Sequence, residues 1–271
     1  MQRIFGQFLV LAGLFFGTCF LLRTVDYRSF FRVEELTREA EHNLTELILD
    51  QLKKEGSECS SDSVLALVDS IKQRVCAANG IADSSITLHI LVRDEVNAVA
   101  LPDRHLVLYT AMIRYCNSPE ELAGVLAHEI SHIQHGHILK RLRREVGVSM
   151  LTALAGGEAS GEIVRQTTRL LTSSAFDREM ETDADNSAVH MMAKAGIDPV
   201  HFADLLFRLS QEKMNVPKRF EWISSHPNTQ ERCAKILKLR KQEAYMIRPI
   251  LTAAQWTFLK KAIGTMRTEG S

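Results

Sequence analysis

His128, Glu129 and His132 fall at positions i, i+1 and i+4 of the stretch His128-Glu129-Ile130-Ser131-His132. On an α-helix, residues four apart share one face one turn apart, so both imidazoles reach a common point. An extended strand would set them about 13 Å apart. The motif therefore demands a helix at this place. Two converging imidazoles suit one zinc ion, with nitrogen ligands at about 2.0–2.1 Å. Glu129 is offset by one position. It stands where a carboxylate can hydrogen-bond a water on the metal and move its proton without ligating the ion. The alternative is a polar helix face with two ordinary histidines.

The surrounding residues predict that helix. Ser118 is its cap, Pro119 its first residue, and Glu121 completes the spacing of a capping box. Leu122, Val125, Leu126, Ile130 and Ile133 supply an apolar flank. Lys140, Arg141, Arg143 and Arg144 read as a solvated basic face near a helix C-terminus, with anionic lipid contact as the other reading. A catalytic zinc site usually takes a third protein ligand. Glu181, in Glu181-Thr182-Asp183-Ala184-Asp185, is the best candidate. Asp185 shares its helix face and can accept the free ring N–H of a ligating histidine. The competing reading is a charged solvated helix. His135 lies near the ligand face but about a turn too far along, and Gly136 is placed to end the helix. His137 reads as a local polar cap or a contact to a later segment. His226, before Pro227, can approach the metal's open position as a fourth ligand, stabilise an oxyanion, or simply cap the next helix.

Helices are predicted at Val33–Glu55 and Asp62–Ala78, and strands at Ile86–Arg93, Asn97–Leu101 and His105–Tyr109 around a turn at Pro102-Asp103. The remainder is mainly helical. Lys+Arg and Asp+Glu balance at 33 each, which excludes nucleic acid as a partner class. None of the five cysteines forms a C-x-x-C pair, so a cysteine zinc site is excluded; Cys59 and Cys76 are either isolated thiols or a pair in an oxidising compartment. Ile4 to Leu22 carries no charge and is long enough to cross a hydrocarbon core of about 30 Å. It reads as an uncleaved anchor, with a signal peptide or a lipoprotein signal ending at Cys19 as alternatives. The chain thus divides into an anchor and link at 1–32, a catalytic domain at 33–245, and a helix and tail at 246–271.

These pieces, in order, resemble the membrane-associated gluzincin peptidases that include the HtpX heat-shock protease and the CAAX prenyl endopeptidases. The resemblance runs from about Arg93 to Leu239. It is carried by Asn97-Ala98-Val99-Ala100-Leu101-Pro102, by Glu120 to His132 with His137, by Glu181 to Asp185, by Ala195 to Pro199, and by His226-Pro227 with Arg232. It implies an α+β, mainly helical, zincin-like metallopeptidase domain with a short sheet above the active-site helix. It implies one zinc per chain held by His128, His132 and Glu181, with Glu129 as base and Asp185 behind the ligands. It also implies that Asn97, Ala98, Val99 and Ala100 form an edge strand that aligns a polypeptide substrate by strand addition. The expected activity is zinc-dependent hydrolysis of peptide bonds in misfolded or membrane-associated proteins. The alternatives are a latent zinc-binding chaperone or scaffold, with Val146–Gly157 plugging the cleft, and a non-peptide hydrolase. Two features depart from the pattern. Asp103-Arg104 stands where a glycine pair is common, and Asp183 replaces a frequent glutamate. The single anchor resembles the small envelope quality-control members, whose catalytic domain faces the periplasm. The arginines that follow the anchor, Arg23, Arg28 and Arg32, argue against export.

Overall fold

The structure is a computed structural model that describes residues 38–147, 151, 153–154, 156–157, 160–212, 219–241 and 246–266. The uncharged run Ile4–Leu22 lies outside these residues. Among the described residues, no helix is long and apolar enough to cross a membrane.

Two amphipathic helices come first. Helix α1 (Arg38–Glu55) buries Leu44, Ile48, Leu49 and Leu52, and α2 (Asp62–Ala78) buries Val64, Val68, Ile71 and Val75. Both sets recur at the three-to-four spacing of one helix face. Three short strands follow: β1 (Thr87–Leu91), β2 (Ala98–Ala100) and β3 (His105–Tyr109). Their order is β1-β3-β2, so β3 is central and β2 is an edge. β3 runs parallel to β1, with Leu108 opposite Ile90, and antiparallel to β2, with Val107 opposite Val99. Alternation sends Ile90, Ala98, Leu106 and Leu108 into the main apolar core. Leu91, Val99, Val107 and Tyr109 are buried on the opposite face.

The β2–β3 turn closes with the His105 N–H donating to the Pro102 carbonyl at 3.2 Å. Asp103 (φ 50°) and Arg104 (φ 60°) are both left-handed. A two-residue hairpin turn of this hand needs positive φ at both central positions, which is what a glycine pair supplies without strain. The departure at Asp103-Arg104 thus changes the residues and keeps the turn.

After α3 (Thr110–Tyr115) comes the central helix, α4 (Pro119–Gln134), buried along nearly its whole length. Ser118 caps it as expected, accepting from the Glu121 N–H. The capping box is only half made. The Glu121 carboxylate accepts instead from the Asn117 N–H at 2.7 Å and from the Arg208 guanidinium at 2.6 and 2.7 Å. A charge-assisted fork outcompetes a single neutral donor.

The chain continues through α5 (His137–Glu145), α6 (Gly161–Ser173), α7 (Arg178–Lys194), α8 (Val200–Glu212), α9 (Glu221–Ser225), α10 (Thr229–Arg240) and α11 (Ala253–Thr265). Helices α2, α7 and α8 pack directly on α4. At Gly124 an added Cβ would sit 2.6 Å from the Phe202 Cβ, so this crossing of α4 with α8 requires glycine. From the C-terminal segment, Leu251, Leu259 and Ile263 join the main core.

Cys59 and Cys76 are free and buried. Roughly 20 Å of helix α2 separates them, far beyond the reach of a disulfide. Arg141 corrects the reading of a solvated basic face. It is 1% exposed, lies over the Phe176 ring at 4.4 Å, and donates to the carbonyls of Leu170 and Ser174. Burial draws its pKa down to about 10. Leu151 and Leu154, from the segment expected to plug the cleft, are buried, while 148–150, 152 and 155 lie outside the described residues.

Candidate active site

Helix α4 sets His128 and His132 one turn apart with their Nε2 atoms 3.1 Å from each other. Helix α7 brings Glu181, whose Oε1 lies 3.3 Å from His132 Nε2. His226, directly after α9, places Nδ1 3.2 Å from His128 Nε2 and 2.8 Å from Glu181 Oε1. The four donor atoms lie within 4.8 Å of one another, and all four residues are buried. The structure therefore gathers every ligand candidate named from the sequence, His226 included.

Behind this group lie residues that orient it. Asp185, one turn along α7 from Glu181, has Oδ1 3.1 Å from His128 Nδ1. A carboxylate accepts only, so His128 donates from Nδ1 and keeps a bare lone pair at Nε2. His137 Nδ1 lies 3.0 Å from His132 Nδ1, behind the other ligand candidate. By sequence it reads as a local polar cap or a contact to a later segment, within the stretch that carries the family resemblance. His135 is exposed, pairs with Ser187 Oγ at 2.7 Å, and stays outside the group. Arg232 donates to both oxygens of Asp185 at 2.8 Å and lies 2.6 Å from Glu181 Oε2.

The electrostatics favour a cation. Burial, reinforced by Arg232, pushes His128 down to about 3, and burial likewise lowers His132 and His226. Burial alone would raise Glu181 and Asp185, but Arg232 together with the facing histidines outweighs it and holds both below the usual carboxylate range. The imidazoles are thus neutral and the carboxylates ionised, the protonation states that metal ligands need. Arg232 is the one arginine or lysine paired with Glu181 and Asp185 among the described residues. One cation faces two buried carboxylates and a third, Glu129, close by. Three facing imidazole nitrogens, the Glu181 carboxylate among them and an excess of negative charge fit a divalent ion with nitrogen and oxygen ligands.

Glu129 stands beside the group, its Oε1 3.4 Å from His226 Nε2. Its Oε1 accepts from the Trp222 indole N–H at 3.0 Å and its Oε2 from the Ala100 backbone N–H at 3.1 Å. Burial raises its pKa to about 7, against the pull of His132 and these two donors. Trp222 was not singled out from the sequence. The available signal was an aromatic four residues before His226, whose N–H donates to the Trp222 carbonyl at 2.8 Å.

The expected substrate strand, Asn97 to Ala100, forms β2 and its approach, and it is the sheet edge. The edge is not open. Asn97, Ala98, Val99 and Ala100 are all buried, and α6 packs against β2. Asn97 Nδ2 donates to the Thr172 carbonyl and to Glu221 Oε2, both at 3.2 Å. The two N–H groups that point away from β3 are also taken: Ala98 donates to Asn97 Oδ1 at 3.0 Å and Ala100 to Glu129.

The sequence is similar to those of known proteins. The chain is 28% identical over 171 residues to the mitochondrial metalloendopeptidase OMA1 of Schizosaccharomyces pombe, covering 62% of this chain and 51% of that one. It is 26% identical over 207 residues to the beta-barrel assembly-enhancing protease of Yersinia pestis, covering 71% and 41%. The mitochondrial OMA1 of Danio rerio matches at 25% over 210 residues, covering 69% and 43%. The chain thus spans about half the length of these relatives, or less. Residues 65–240 match the profile of Peptidase family M48, a stretch that contains every residue of the site. The match over residues 65–240, a stretch that holds the whole buried histidine–carboxylate group, places the chain in Peptidase family M48.

Proposed function

We propose that this protein is a zinc-dependent endopeptidase in which His128, His132 and Glu181 hold one zinc ion and Glu129 is the general base. The convergence of His128, His132, Glu181 and His226 beside a carboxylate of raised pKa carries this reading. The metal would supply polarisation of the scissile carbonyl and acidify the attacking water. Asp185 orients His128 through Nδ1, and Arg232 fixes Asp185 and Glu181. Glu129 takes the water's proton and returns it to the leaving amine, a role that a carboxyl pKa near 7 suits at neutral pH. The substrate is a polypeptide in extended form, aligned on Asn97, Ala98, Val99 and Ala100 as an added strand.

His226 serves in this reading as a fourth donor in the resting protein. Its Nδ1 stands as close to His128 and Glu181 as those residues stand to their neighbours, and four protein donors leave no place for water. The same geometry also supports the second reading, a latent zinc-binding scaffold. His226→Ala separates the roles: a gain in basal activity supports the latch, and a loss of roughly 10²-fold in kcat assigns oxyanion stabilisation instead.

The similarity to OMA1 and to the beta-barrel assembly-enhancing proteases favours a quality-control peptidase of the small single-anchor type over a prenyl-protein peptidase. We assign residues 1–32 to a membrane anchor and link, 33–245 to the peptidase domain and 246–271 to a C-terminal helix and tail, with the catalytic domain on the periplasmic side. Resistance of the full chain to carbonate extraction tests the anchor, and release by carbonate removes it. For the activity, the purified protein is incubated with casein, with and without a chelator. Chelator-sensitive cleavage and about one zinc per chain are expected, falling by about one equivalent in His132→Ala. An inert protein with full zinc content favours the scaffold.

A further inference from the structure

Glu129 is held by two neutral N–H donors of different kinds. One belongs to the backbone of β2, the other to a side chain on α9. The Ala100 N–H points away from β3 and is one of the groups an added strand must engage. In the structure that N–H is bound to Glu129 Oε2 at 3.1 Å. The base and the strand edge therefore block one another. An incoming strand that takes the Ala100 N–H releases Oε2, and the indole N–H at 3.0 Å is then the one hydrogen bond on the carboxylate, with His226 Nε2 standing farther off at 3.4 Å.

The Trp222 side chain is built to stay in place. It is fully buried, its ring lies 4.6 Å from the His226 ring and 5.7 Å from the His128 ring between centroids, and the Arg232 guanidinium sits 5.4 Å above it. Its backbone N–H donates to the Val96 carbonyl at 3.2 Å, which ties α9 to the chain entering β2. A rigid bicyclic ring with a single donor atom can aim only one way.

We propose that Trp222 is the positioning residue of the catalytic base: its indole N–H holds Glu129 Oε1 throughout turnover, while Oε2, exchanged from Ala100 by the arriving substrate strand, is the oxygen that accepts the proton. The proton leaves the attacking water, resides on Oε2 as the carboxylic acid, and passes to the amide nitrogen as the C–N bond breaks. The base is thereby free only when a strand is bound. This rests on the reading of Glu129 as base and of β2 as the substrate strand.

The contact itself is testable without turnover. The chain has two tryptophans, Trp222 and Trp256, so the indole N–H resonances of the 15N-labelled full chain are assigned with Trp256→Phe. In Glu129→Ala the Trp222 resonance moves and that of Trp256 does not; an unmoved Trp222 resonance overturns the contact. For the role, Trp222 is replaced by Phe and, to keep the ring shape, by β-(3-benzothienyl)alanine, which exchanges the N–H for sulfur. With zinc content and unfolding midpoint unchanged in the isosteric variant, kcat falls roughly tenfold or more and KM stays within about twofold, because a hydrogen bond to a charged group is lost at the base alone. Retained kcat in that variant overturns the proposal. Full turnover in Glu129→Gln would instead remove the base reading, and the resonance shift would still report whether the contact exists.

Discussion

Replacing Arg232 by Met isolates the charge that holds the site together. Arg232 is 4% exposed and faces Asp185 through two 2.8 Å contacts and Glu181 at 2.6 Å. Methionine keeps an unbranched apolar stem of similar reach and removes the guanidinium. Both carboxylates are then buried with no cation. Removing one partner of a buried ion pair costs about 3–5 kcal/mol, and with two carboxylates stranded the upper part of that range is expected at pH 7. In the wild type both carboxyl pKa values are held below their ordinary range. Stability of this kind is present above the unfolded-state carboxyl pKa of about 4 and is lost as the pH falls through the folded-state value. In the variant only the facing histidines still oppose burial, both pKa values rise, and the stranded groups take up protons as the pH falls from 7 toward 5. The deficit is therefore largest at neutral pH and shrinks on acidification. Urea unfolding of chelator-treated wild type and Arg232→Met at pH 7 and pH 5 measures it directly. A deficit below about 1 kcal/mol at pH 7, or one that does not change with pH, refutes the account.

Three further outcomes are expected. Glu129→Gln lowers turnover by about 10²- to 10⁴-fold and keeps one zinc; in the wild type kcat/KM falls on the acid side, because the base must be ionised. That limb lies at or below about 7, since burial sets the carboxyl there and a bound cation draws it down, and a limb above pH 8 contradicts the assignment. Arg104→Gly relieves a left-handed residue at φ 60° and raises stability by up to about 1 kcal/mol, read as a higher Tm; a lower Tm shows that the turn is not strained at that position.

The parts of the site that share one helix were readable in the sequence, because helical periodicity is a local property. His128, Glu129 and His132 follow from α4 alone, and the relation of Asp185 to Glu181 from α7 alone. Joining the two helices rested on the need for a third ligand and on the Glu181–Asp185 pairing, with a charged solvated helix as the competing reading, and the resemblance singled out the same residue. What escaped was set by tertiary contacts. His137 lies past the helix-ending Gly136, whose φ of 63° turns the chain so that the ring comes back to His132. Arg141 looked solvated by composition, and its burial depends on α6 and Phe176. The strands were placed correctly, but β3 inserts between β1 and β2, and a parallel neighbour leaves no turn signal to read.

The cover over β2 has a kinetic meaning. Substrate cannot reach Ala100 while Asn97 is tied to Thr172 and α6 lies on the strand. If exposing the edge costs about 3 kcal/mol, roughly one molecule in 150 is competent at any instant, and the apparent Kd for a peptide is weaker than the intrinsic one by that factor. An exposed peptide bond passing by would then go uncut far more often than the chemistry at Glu129 alone dictates. Any agent that draws α6 aside, whether a partner or a crowded client, would raise cleavage with no change at the catalytic residues. If the proposed reading of β2 holds, throughput would be governed by how often that edge is uncovered.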